Sequence, residues 1–242
     1  MRSLLALALR AFIGSRLEQD HVGEAAGSLL RVVQSADSLP PGESGRDDYV
    51  LDLPRTADPD IDPGTASEGL VVATESLSRG VLIAVPVTGD WSAARIEGLL
   101  TGQAGLQTDC LVIANSATRF LWSSRVDPLT VLDYLLTGDP AGPGSEWDVG
   151  HFTAILGLVT GKAGGVAVCA DTYRSLGNNG VHLQPLERVA DSLRRDDSAF
   201  DGGVLLLIRA GGYEALIDLL VGVGLRQGLW DNGTPYRADA RG

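Results

Sequence analysis

Two side chains in this sequence have the types and spacing to hold and move a proton between them, His151 and Asp171. His151 stands at the opening of an apolar run, GHFTAILGLV over 150–159, directly after Trp147-Asp148-Val149. Asp171 lies near the end of the next run, VAVCADTY over 166–173. The glycine-flanked turn over 161–165 joins the two, so they are expected to pair as antiparallel strands. A histidine at the mouth of one strand and an aspartate at the exit of its hairpin partner then meet at the same edge of a sheet. There the carboxylate can accept from one imidazole nitrogen, fix the tautomer and stabilise the imidazolium. A pair that merely ties two strands together has the same spacing, and spacing alone leaves both readings open.

Other residues with chemical potential are fewer. The chain has three histidines, His21, His151 and His182. His21 sits in an acidic helical stretch and reads as a surface residue. The turn-rich segment SLGNNGVH over 175–182 follows Asp171 closely, which puts His182 and Gln184 on the same rim. Cys110 and Cys169 both fall inside apolar runs, where a thiol behaves as a small buried hydrophobe and has no helix terminus to activate it. Asp58, Asp60 and Asp62 alternate in a calcium-loop manner, but the glycine and glutamate positions of an EF-hand are absent. No HExxH, Walker A or GxSxG motif occurs, and neither a cofactor nor a metal is expected.

These residues need elements to hold them. Leu5, Leu9, Phe12 and Ile13 share one face of a helix over 3–14 that Gly14 closes, and a second helical region is expected over 18–35. The stretch 37–67 is rich in proline and aspartate and reads as loop. LVVATES (70–76) and GVLIAVPV (80–87) read as a hairpin across a Ser-Arg-Gly turn. A helix over 92–101, a strand over 109–115 and a helix from Pro128 to Gly138, capped by Asp127, come next. After the two strands that carry His151 and Asp171, an amphipathic helix is expected over 183–195. A strand over 202–209 and a helix over 213–224 follow, and the segment WDNGTP (230–235) is expected to pack as a tail over the sheet. One domain over 1–242 is the simplest reading: a helical part to residue 36, the loop over 37–67, and a sheet-containing part over 68–242.

Charge and composition exclude whole classes. A net charge of -12 is wrong for a protein that tracks nucleic-acid phosphates or a polybasic membrane-surface protein. The first residues look superficially like a signal peptide, but Arg10 interrupts the apolar run and no A-x-A site follows. No stretch reaches the ~20 apolar residues of a membrane span. A cytoplasmic location is therefore expected.

GHFTAILGLV, then VAVCADTY, then LQPLERVADSLRR, then GGVLLLIR together resemble the C-terminal half of papain-like cysteine peptidases of the bacterial C39-like group. The resemblance covers roughly residues 148–209. It implies an α+β fold with an antiparallel sheet packed against N-terminal helices. It also implies His151 as general base, Asp171 (in Asp171-Thr172-Tyr173) as its orienter, and a peptide or protein as substrate. Tyr173, His182 and Gln184 become the candidate substrate contacts. The chain departs from the pattern at the other end. The family places its nucleophile in a Cys-Gly-Pro-like context at the start of a buried helix, after a glutamine that forms the oxyanion hole. No Cys or Gln precedes SLLALALRAFIG, and Ser3 is the nearest stand-in. Either the missing segment lies upstream of Met1 or the protein is a non-catalytic descendant. The chain as written is expected to lack cysteine-peptidase activity.

Overall fold

The computed structural model describes residues 4–33, 36–46 and 48–236, so Ser3 lies outside the described residues. In chain order the elements begin with α1 (Leu4–Ile13), α2 (Gln19–Ala25), β1 (Leu30–Arg31), β2 (Arg55–Thr56), α3 (Ser67–Ser78), β3 (Leu82–Thr88) and α4 (Ala93–Ala104). Then come β4 (Cys110–Ala117), α5 (Pro128–Thr137), β5 (Gly150–Thr160), β6 (Gly165–Ala170) and β7 (Val181–Pro185). The chain closes with α6 (Leu186–Arg194), β8 (Gly203–Arg209), α7 (Tyr213–Gly222) and β9 (Arg226–Gln227). The protein is α+β. Its main sheet has the order β7-β6-β5-β4-β8-β3-β9, and every pair in it is antiparallel.

Helices cover both faces of this sheet. Val85, Val112, Leu206 and Ile208 point to one side and pack with Leu99, Leu193 and Leu216 of α4, α6 and α7. Ala84, Ile113, Leu205 and Leu207 point to the other and pack with Leu5 and Leu9 of α1, Leu70 of α3 and Trp230. That two-sided burial explains why GVLLLIR reads as an unbroken apolar run instead of an alternating one. Trp230 is buried against the backbone of Gly203, as the tail reading requires.

Several expectations hold and several are corrected. In α5, Asp127 Oδ1 accepts from the Leu129 N–H at 2.8 Å, Pro128 takes the first helical position, and Gly138 closes the helix at φ 79°. The hairpin over 70–87 is wrong, because residues 70–76 lie inside α3. The β-branched Val71, Val72 and Thr74 suggested a strand. However, Leu70, Ala73 and Thr74 recur at helical spacing and are buried together, and the Thr74 hydroxyl donates back to the Leu70 carbonyl at 2.7 Å. The Ser-Arg-Gly turn is the left-handed end of that helix, with Arg79 at φ 53°. β3 pairs with β8 and β9 instead.

The second helical region is shorter than expected. It ends at Ala25, Gly27 turns the chain at φ 63°, and β1 pairs in parallel with β2, which lies inside the supposed loop. Residues 181–185 form β7, so the amphipathic helix starts at Leu186, with Pro185 before it. Cys110 is the first residue of β4 and half-buried, not mid-strand. Among the described residues no helix is long and apolar enough to cross a membrane.

α2 and α3 approach so closely that a Cβ on Gly69 would collide with the carbonyl oxygen of Ala26. A Gly69→Ala variant is expected to lose about 2 kcal/mol or more of stability, because backbone cannot yield as a side-chain tip can. Urea denaturation checks this, and an unchanged midpoint would contradict such a close approach.

Candidate functional site

The site grows out of the meander β5-β6-β7. Ala154 pairs with Ala170, which sets Thr153 and then His151 beside the residue that follows β6, Asp171. His151 Nε2 lies 2.6 Å from Asp171 Oδ2, and the Thr153 hydroxyl donates to the same oxygen at 3.3 Å. The other oxygen, Oδ1, accepts from the Tyr173 N–H at 2.8 Å. The Asp171 side chain has no solvent exposure, whereas that of His151 keeps 16%. Burial pushes the Asp171 carboxyl upward, but the charge and hydrogen bond of His151 and the Tyr173 N–H outweigh it, so the net shift is downward. An ionised carboxylate only accepts, so the imidazole proton sits on Nε2 and the Nδ1 lone pair is left for other work.

Rings frame the imidazole. Trp147 lies tilted against it at 4.8 Å between centroids, Tyr173 stands at 5.6 Å, and Trp147 and Tyr173 contact each other edge-on. Two cavities meet here. A smaller one of about 320 Å³ is lined by Trp122, Thr153, Asp171, His182 and Gln184. A larger one of about 930 Å³ is lined by Leu4, Asn115, Gly150, Phe152, Tyr173 and Arg195, among others. Among the described residues only Trp147 and His151 line both.

The two partners on β7 do not act alike. His182 and Gln184 point to the same side of the strand, both buried. Gln184 Oε1 accepts from the Trp122 N–H at 2.8 Å, and its Nε2 donates to the Trp122 carbonyl at 3.1 Å and lies 3.0 Å from His182 Nδ1. These contacts engage both ends of its amide, and the residue lines the smaller cavity. It is a positioning residue that makes His182 Nδ1 an acceptor and leaves the proton on Nε2. Burial drives His182 down to about 4, although Asp171 pulls the other way. Tyr173 belongs to the larger cavity and its phenol is pushed up to about 12 by burial and by Asp171. His21 is far simpler: its Nδ1 accepts from the Glu18 N–H and caps α2.

Neither cysteine lines either cavity. Burial drives both thiols up to about 12, and Asp171 adds to that at Cys169, so each is held as an unreactive thiol. Among the described residues no three His, Cys, Asp or Glu side chains group as a metal site.

Polar atoms left without partners mark the same place. Among the described residues, four buried side-chain atoms lack any hydrogen bond: Gln19 Oε1, Trp147 Nε1, Ser175 Oγ and Arg195 Nε. All four residues line one or both of the cavities. Buried polar groups are rarely left unpaired, so four such atoms on residues around these cavities set this region apart. Sequence reasoning missed Trp147, Thr153, Asn115 and Arg195. Asn115 did carry a signal, being a polar residue inside the apolar run CLVIANSA.

A family model described as a family of unknown function (DUF6885) matches residues 4–231. No curated protein and no solved structure matches the chain.

Proposed function

We propose that this chain, which belongs to that family of unknown function, is related to the papain-like, C39-like cysteine peptidases and takes a peptide in the double cavity, with His151 as base and Asp171 as orienter. The reading is carried by an imidazole whose Nε2 is pinned to a buried carboxylate while its Nδ1 is left free at the wall between two cavities. Support comes from α1, whose first described residue, Leu4, lines the larger cavity together with His151. A helix that reaches the same cavity as the histidine is the arrangement the resemblance implies.

Neither described thiol lines the cavities, and the nucleophile we assign to Nδ1 is water. In that step a water proton passes to Nδ1 and its oxygen bonds to the carbonyl carbon. The C–N bond then breaks and the amine leaves with the proton. A second reading, in which the peptide is held without being cut, is favoured by the position of both described thiols away from the cavities.

Incubating the protein with a defined pool of synthetic peptides in ¹⁸O-water separates these readings. Products carrying ¹⁸O at a new carboxylate, and lost in His151→Ala, support the base. Peptides retained intact by the wild type and by His151→Ala, but released by Trp147→Ala, support binding alone. A pool neither cut nor retained defeats the proposal.

A further inference from the structure

Arg195 is an anomaly in an acidic protein. It is 5% exposed, yet among the described residues no carboxylate lies within ion-pair distance of it. Its side-chain hydrogen bonds all come from Nη2, which donates to the Asn115 carbonyl at 3.1 Å and to Asn115 Oδ1 at 2.7 Å. Asn115 is in turn fixed by the Trp230 indole N–H at 3.2 Å. Nε is buried without an acceptor, and Nη1 has no hydrogen bond to any described residue. Leaving a cation this way is costly unless something else completes its shell.

The other arginines around the larger cavity are engaged. Arg46 pairs with Asp20 and Asp48, Arg119 with Asp148 and Asp197, Arg31 donates to the Asp58 carbonyl, and Arg55 stacks over Tyr49. Asp201 and Asp62, the latter lining the same cavity, act on Arg195 electrostatically, but neither lies within ion-pair distance of it. The backbone also favours an open guanidinium. A Cβ on Gly150 would stand 3.7 Å from Nη1 and Nη2, so the residue immediately before His151 leaves that side of the group uncovered. Arg195 itself sits at φ 53°, at the helix end where glycine is usual, so the position carries a side chain at a conformational cost.

We infer that Arg195 is an anion-binding residue which takes a carboxylate of the ligand in the larger cavity, beside the His151 dyad. With the peptide reading above, on which this identification rests, the group is the carboxylate of a peptide. An inorganic anion shares the chemistry and is distinguished by the test.

Calorimetry and thermal melts of the wild type, Arg195→Met and Arg195→Lys would use four probes: N-acetyl-dialanine, its C-terminal amide, acetate and inorganic phosphate. The free acid is expected to bind about 10- to 100-fold more tightly than the amide, the span of a charged hydrogen bond. Arg195→Met is expected to erase that preference and Arg195→Lys to keep part of it. Acid and amide binding alike, or a preference that survives Arg195→Met, would each overturn the inference. Acetate and phosphate stabilising through Arg195, with neither dipeptide binding better than acetate, would uphold the anion site and refute the peptide reading.

Discussion

In an Asp171→Asn variant, His151 is expected to carry its proton on Nδ1 instead of Nε2. The asparagine Oδ1 still accepts from the Tyr173 N–H, which keeps the side chain in place. Its Nδ2 then faces His151 Nε2 and can only donate, so that nitrogen must accept. The lone pair at the cavities is replaced by an N–H, and a base becomes a donor. Turnover that depends on His151 should fall about 10⁴-fold, the scale set by a wrongly tautomerised histidine dyad. Long-range ¹H–¹⁵N correlation of the imidazole reads the tautomer directly, with or without a known substrate. Protonation at Nε2 in both proteins would mean that Asp171 does not orient the ring.

His182 is expected to dominate the acid limb of stability. Its folded value of about 4 lies below the 6.5 of an unperturbed imidazole. Between those two values the unfolded chain binds a proton that the folded chain refuses, so stability falls as pH drops through that window. The whole loss is roughly 3 kcal/mol, at 1.36 kcal/mol per unit. Asp171 acts in a separate window. Its folded carboxyl is depressed, so its contribution is complete above 3.8 and disappears only as pH falls below that, through its folded value. A His182→Asn variant separates the two, because the asparagine Oδ1 can replace Nδ1 as acceptor for Gln184 without titrating. Urea midpoints across a pH series should lose their slope between 6.5 and 4 while the lower limb persists. A slope unchanged by the substitution would assign the limb to another group.

Local signals carried well from sequence to structure. His151 and Asp171 could be paired in advance because their strands are joined by a short glycine turn, so register follows from the connection itself. The α5 cap was equally legible, since Asp127 and Pro128 act within one turn. Residues 70–76 were misread because β-branched residues and helical spacing point in opposite directions, and packing against α2 decides the matter. The strand at 181–185 was lost behind Pro185, although His182 and Gln184 already alternate with Leu183. Arg195 was beyond reach. In a run of arginines and aspartates it looks like surface, and only the distant Asn115 draws it inside.

The strand order also has a temporal consequence. β8 lies between β3 and β4, so the centre of the sheet closes only once residue 209 has been made. The β5-β6-β7 meander that carries the dyad is contiguous and pairs only with near neighbours and β4, all of them synthesised earlier. On the ribosome the His151 half of the sheet can therefore assemble while β3 still waits for its partner. The long closure between residues 82 and 209 then sets the pace of folding.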